Sequence, residues 1–291
     1  MGRIGDSRIT VLPGDEVGER LPWTARATSA VALSVAAAVV VALGLLISED
    51  NTFGAGRVLG ALIIGVWCAS TLVVAVSRPD EPLAVLMGLA AAVAALALFG
   101  GALAVRGAAT LDANDWGAAM RAVGIAVLPA VGLHIGLGLP DGELRSRARR
   151  VVTALGYSAA AVVAVVLLQD RPDVPLAALT TMVVVATAIA FVGCVARYRG
   201  AATAFDRARL WWVAGAVVVA GAVASVAAVL HALVSWPEPL RGVVVATMVL
   251  VPIALAIGAS GRVALRVDRR GSAARERDVP VDSGVSRERE A

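Results

Sequence analysis

The sequence predicts an all-α protein, a polytopic transmembrane helix bundle of about eight spans, with both termini in the cytoplasm and a disordered C-terminal tail. Three observations lead there. Hydrophobic residues are 59% of the 291 and the mean hydropathy is +0.82, against an apolar share of roughly 45–50% in a soluble domain. Those residues fall in eight long runs, and arginine gathers in alternate connections between the runs.

A helix that crosses a hydrocarbon layer about 30 Å thick, rising 1.5 Å per residue, needs about 20 mainly apolar residues. The stretches that qualify are Ala27 to Ile47, Val58 to Val76, Pro82 to Val105, Gly117 to Gly138, Val151 to Gln169, Val174 to Ala196, Leu210 to Ser235 and Leu240 to Ser260. Strands are excluded because a lone strand in lipid leaves its amides and carbonyls unpaired, and these runs are too long and too continuously apolar for barrel strands. The first run exceeds the h-region of a secretory signal and has no A-x-A-like site before Asn51, so it is expected to be an uncleaved anchor.

The domain reading follows from the same pattern. Residues 1–26 form a cytoplasmic arm of mixed charge containing Pro13-Gly14, residues 27–260 the membrane domain, and residues 261–291 a cytoplasmic tail. That tail has too little apolar material to offset its conformational entropy and is expected to be disordered beyond about Arg270. Connections of roughly 5 to 15 residues leave no inserted soluble domain.

Arginine supplies the orientation, and all 26 basic residues are arginine. Segments expected inside carry Arg3, Arg8, Arg20 and Arg26, then Arg78, then Arg145, Arg147, Arg149 and Arg150, then Arg197, Arg199, Arg207 and Arg209, then the arginine-rich tail. Segments expected outside carry only Arg57, Arg106, Arg171 and Arg241. An even number of spans preserves this alternation. Trp23, Trp116, Trp211, Trp212 and Trp236 fall at span ends, where amphipathic rings prefer the headgroup level, and only Trp67 is mid-span. The cell membrane is therefore the expected location and the lipid bilayer the first partner. Nucleic acid is not an expected partner despite a pI near 10.0, because the basic residues flank apolar spans without interleaved aromatics.

All 22 acidic residues lie outside the expected spans, which weighs against a proton- or sodium-coupled carrier. Three ionisable residues fall inside: Arg121, one turn into span four, and His134 and His231, near the inner and outer ends of their spans. Snorkelling or a helix–helix hydrogen bond is the preferred account of Arg121 over ligand binding, and a satisfied interfacial histidine that of His134 and His231 over a ligand, metal or pH-sensing role. Gly56 with Gly60, and Gly132 with Gly136, have the spacing of close helix approach. Pro129 and Pro252 fall within spans four and eight, each removing a helical hydrogen bond. Pro140, Asp141 and Gly142 stand in the order of a tight turn, and a plain hairpin accounts for them. Arg145, Arg147, Arg149 and Arg150 beside that turn serve orientation in preference to lipid binding. Cys68 and Cys194 have no Cys or His at metal-ligand spacing, and no Walker A, H-E-x-x-H or G-x-S-x-G sequence occurs, so neither a cofactor nor an enzymatic role is expected.

Three segments together carry a resemblance. They are Leu139-Pro140-Asp141-Gly142-Glu143-Leu144 with Arg149-Arg150, the connection from Arg197-Tyr198-Arg199 to Asp206-Arg207-Ala208-Arg209-Leu210-Trp211-Trp212, and Gly258-Ala259-Ser260-Gly261-Arg262-Val263-Ala264-Leu265-Arg266-Val267-Asp268-Arg269. In order and placement they resemble the N-terminal membrane region of actinobacterial two-component sensor histidine kinases. The resemblance implies a sensory input module of a two-component signalling system. This sequence departs from the family after Arg269, where the phospho-acceptor helix and the ATP-binding domain would follow, so it is expected to be a truncated or standalone module without the kinase core. The function expected is a non-catalytic membrane sensor, acting with a second copy or a partner signalling protein. A small-solute transporter or permease-like protein is the alternative.

Overall fold

The computed structural model describes residues 24–47, 55–106, 111–169, 176–201, 203–234, 246–247 and 249–260. The expected N-terminal arm up to residue 23, the tail from residue 261, and the first part of the eighth span lie outside the described residues. Among those described, the structure is entirely helical. Its elements are α1 (Ala25–Ile47), α2 (Ala55–Ser77), α3 (Leu83–Arg106), α4 (Leu111–Gly138), α5 (Arg147–Gln169), α6 (Leu176–Gly200), α7 (Ala204–Val234) and α8 (Leu250–Ala259).

Six of these, α1 to α6, are long and apolar enough to cross a membrane, and α7 has 31 residues. Large apolar side chains cover the outside of the bundle: Leu46 is 76% exposed, Val76 68% and Val192 67%. An apolar surface of this extent is stable in lipid and not in water, so the fold is that of a multi-pass membrane protein. Trp116 and Trp211 are exposed near helix ends, as headgroup-level rings are.

Several helices run beyond their apolar stretch. α5 begins at Arg147, four residues before the first residue of the expected span, and α7 begins at Ala204 where Leu210 was expected. The apolar run measures only the hydrocarbon layer, whereas a helix continues until its end groups find other partners. Here the partners are caps. The Ser146 hydroxyl accepts from the Arg149 amide at 3.3 Å, and the Thr203 hydroxyl accepts from the Asp206 amide at 3.0 Å while donating to Asp206 Oδ2 at 2.7 Å. α4 likewise starts at Leu111, which puts Arg121 nearly three turns along it rather than one. Pro129 is inside α4, whereas Pro252 occupies the first turn of α8, where a missing amide hydrogen is least disruptive.

α3 packs against α1, α2 and α4, and α4 packs against α3, α5 and α6. α8 lies between α2 and α7, and α7 touches α6, so α2, α3, α4, α6, α7 and α8 close a circuit with α1 and α5 outside it. The largest core cluster, including Val74, Leu83, Met87, Val131, Leu210 and Leu255, draws on all six helices of that circuit through Cys194 of α6.

α3 and α4 approach each other backbone to backbone, and glycine permits it. A Cβ on Gly100 would lie 2.5 Å from the Arg121 amide nitrogen and 2.6 Å from the Gly117 carbonyl oxygen; one on Gly117 would lie 2.5 Å from the Ala104 nitrogen. Of the two expected glycine pairs, only Gly60 and Gly136 face a neighbour, Leu98 and Ala190 respectively, while Gly56 and Gly132 have nothing within 4 Å. Accordingly, Gly117→Ala is expected to destabilise by about 1–3 kcal/mol through backbone overpacking, and Gly132→Ala in the same helix to leave the unfolding midpoint in detergent unchanged or slightly raised. Equal midpoints for the two variants would show that α3 and α4 are not in backbone contact.

Candidate functional site

The chemistry-bearing side chains gather at one end of the bundle, built around two loops. The first is the connection from Arg78 to Pro82 between α2 and α3. The Thr24 hydroxyl donates to the Pro79 carbonyl at 2.5 Å, and Arg26 Nη1 donates to the Asp80 carbonyl at 2.6 Å, so the start of α1 grips this loop. From the start of α7, Arg209 donates through both Nη atoms to the two oxygens of Glu81, at 3.1 and 2.8 Å. The Phe205 ring lies beneath both guanidinium groups, with Arg209 Cζ 5.6 Å and Arg78 Cζ 4.9 Å from its centroid, which adds cation–π attraction. Arg209 is buried, at 5% exposure. Such burial is tolerated because the forked guanidinium meets a carboxylate with matching geometry. The end of α8 faces this residue: a Cβ added at Gly258 would lie 3.5 Å from the Arg209 Cα and Cγ.

The second loop is the turn between α4 and α5. Leu139–Pro140 is a cis peptide, and Gly142 has φ +89°, a conformation that glycine adopts without steric penalty. The Gly142 amide donates to the Gly138 carbonyl at 2.8 Å. Asp141 Oδ1 accepts from the Glu143 amide at 3.0 Å, and Oδ2 pairs with Arg145. Gly142 is pressed on the start of α3, where an added Cβ would lie 2.5 Å from the Leu83 nitrogen. From α6, Arg197 donates to the Gly138 carbonyl at 2.9 Å, which thus accepts a second hydrogen bond beside that of the Gly142 amide, and to the Glu143 carbonyl at 3.2 Å. Pro140, Asp141 and Gly142 thus form the turn the sequence predicts, and the structure adds its role as a junction of α3, α4, α5 and α6.

His134 lies one turn before this junction. Its Nδ1 is 3.3 Å from the Tyr157 hydroxyl of α5, and the two rings meet edge to face at 6.0 Å. His134 also lines a cleft of about 420 Å³ with Glu143, Leu144, Arg145 and Arg150. Arg150 Nε donates to the Leu144 carbonyl at 2.9 Å. One turn along α5, Thr153 is 4% exposed and its hydroxyl is without a hydrogen-bond partner among the described residues.

The other expected positions are elsewhere. Arg121 is exposed on α4 beside Gly101, about 25 Å from Gly138 at 1.5 Å per residue. His231 is in the last turn of α7, at the end remote from Ala204; its side chain lies outside the described residues. The structure therefore brings His134 to the 140–142 turn and leaves Arg121 and His231 apart from it. Cys68 and Cys194 are buried, their thiols directed at the Ser34 carbonyl at 3.5 Å and the Leu210 carbonyl at 3.8 Å. Glu81 and Tyr157 are the residues that sequence reasoning passed over, and Arg197 was read for its charge and its segment but not for the turn it holds. A short turn between α4 and α5 could have signalled Tyr157, but nothing local signals a partner for Glu81 128 residues away.

This end of the molecule can hold helix termini together and can present arginine to an anion. A scan of protein-family models, a search of curated proteins and a search of solved structures each return no match.

Proposed function

We propose that this chain is a non-catalytic sensor or signalling input module of the cell membrane, an eight-span bundle with both termini in the cytoplasm, whose output leaves through α8. One observation carries the reading. The three segments that resemble sensor-kinase membrane regions are far apart in sequence yet meet at one end: Arg197 holds the 138–143 turn, and Gly258 faces Arg209 with space for a methyl group between them. Glu81 ties the second of these contacts to the α2–α3 loop, which the start of α1 also grips. A shift in any helix of the circuit therefore reaches the end of α8, the point from which the chain continues toward its partner.

The eight-span topology has support from the same placement. The start of α1, the 78–82 and 139–146 connections, Ala201 and Thr203 between α6 and α7, and the end of α8 share one end, as an even number of crossings requires, and the arginine-rich connections are among them. The apolar filling at that end, with Met87, Val131, Leu210 and Leu255 all buried, weighs against the transporter alternative. Fusing a reporter kinase core after Ala291 tests the proposal. Autophosphorylation of the fusion in vesicles should change under at least one envelope stress, and Gly258→Val should uncouple that change. A fusion indifferent to every stress, or substrate-dependent flux through vesicles of the unfused chain, would sink the signalling reading.

A further inference from the structure

The cleft between α4, α5 and the 143–145 loop has a use that neither orientation nor packing explains. Its walls are His134, Glu143, Leu144, Arg145 and Arg150. The charges there are unequal in availability. Arg145 is engaged by Asp141 and lies 3.5 Å from a Glu143 oxygen, so both carboxylates at the mouth are answered in place. Arg150 uses only Nε, on a neutral carbonyl, and has no carboxylate partner among the described residues. Its two terminal nitrogens remain for a ligand. Arg147 and Arg149 share the first turn of α5 with it, and Arg149, Arg145 and Asp141 are close enough to Arg197 to act on its charge. Arg145, Arg149, Arg150 and Arg197 against Asp141 and Glu143 make the mouth electropositive.

The polar groups continue inward from that mouth. Nδ1 of His134 pairs with the Tyr157 hydroxyl at 3.3 Å; in the tautomer in which that hydroxyl donates, the imidazole proton is on Nε2, the nitrogen left to donate to an occupant. Arg150, Thr153 and Tyr157 follow one another at three- and four-residue spacing on a single stripe of α5. The Thr153 hydroxyl on that stripe is buried and unpartnered. Outside the cleft, α5 offers apolar wall to the bilayer, with Val151 50% and Leu155 63% exposed.

We infer that this cleft binds the phosphate of an anionic phospholipid drawn from the cytoplasmic leaflet, with Arg150 forked onto the phosphate oxygens, His134 donating to the headgroup, and the acyl chains lying along Val151 and Leu155. A forked guanidinium beside an imidazole donor suits a phosphate oxygen pair. The exposed apolar wall next to it favours a lipid over a free phosphate, which has nothing to place there. The inference rests on α4 and α5 crossing the bilayer and stands whether or not the chain signals.

The test is a titration of the full chain in neutral detergent with phosphatidylglycerol, phosphatidylcholine or inorganic phosphate, followed by native mass spectrometry of bound adducts. Phosphatidylglycerol should bind about tenfold more tightly than phosphatidylcholine, and Arg150→Gln should abolish that preference. Arg147→Gln removes the same charge from the same turn outside the cleft and should keep the preference. Arg150→Lys, which preserves charge but not the fork, should lie between, and it serves if the glutamine variant melts early. Equal losses in the Arg147 and Arg150 variants would reduce the effect to diffuse charge and overturn the site. Inorganic phosphate that binds as tightly, and only with Arg150 present, would overturn the lipid as its occupant.

Discussion

Glu81→Ala is expected to lower the unfolding free energy in mild detergent by about 3 kcal/mol, because it leaves Arg209 charged and buried with no carboxylate. The value is set at the low end for a broken buried pair since the Glu81 side chain retains 19% exposure. The sign of a second experiment separates lost attraction from stranded charge. Removing both groups, in Glu81→Ala with Arg209→Met, should recover most of the loss, since an apolar replacement of a buried pair is often neutral. If the single variant melts with the wild type, the Arg209–Glu81 fork contributes nothing to stability.

Gly142→Ala is expected to cost about 2–4 kcal/mol, the sum of a left-handed backbone for a residue with a Cβ and an overpacked contact. Both contributions come from geometry already described: φ of +89° and a would-be Cβ 2.5 Å from the Leu83 nitrogen. The neighbouring Glu143→Ala keeps the main-chain carbonyl that Arg197 uses and should change stability by less than about 0.5 kcal/mol. Parallel thermal melts of the two variants check the pair. A Gly142 variant as stable as the Glu143 variant would mean that the turn stands free of α3.

The helices were legible in the sequence because their cause is local: a run of Ala, Val and Leu long enough to cross hydrocarbon must satisfy its own amides. Their ends were less so. α5 extends to Arg147 and α7 to Ala204 on the strength of Ser146 and Thr203 caps, which lie outside any apolar run. Among 29 glycines, spacing alone singled out Gly56 with Gly60 and Gly132 with Gly136, of which only Gly60 and Gly136 face a neighbour, and passed over Gly100, Gly117 and Gly124, whose importance exists only once α3 lies against α4. The candidate site divides the same way. The 140–142 turn was visible as turn chemistry, and His134 as an ionisable group in an apolar run. Arg209 was read as a positive charge on the inner side and as part of a family-like segment, without its partner, because a pairing with Glu81 is a property of the folded bundle and of no window along the chain.

The absence of lysine acquires a meaning from the contacts that arginine makes here. Arg197 spans two main-chain oxygens at once, Arg209 grasps both oxygens of one carboxylate, and the Arg78 guanidinium carbon lies over an aromatic ring. An ammonium group is a point donor and has no plane to stack. Exchange of these three residues for lysine would thus conserve the tally that steers insertion and forfeit the shape that clasps the loops: polarity across the bilayer and cohesion beneath it are separate properties drawn from one amino acid.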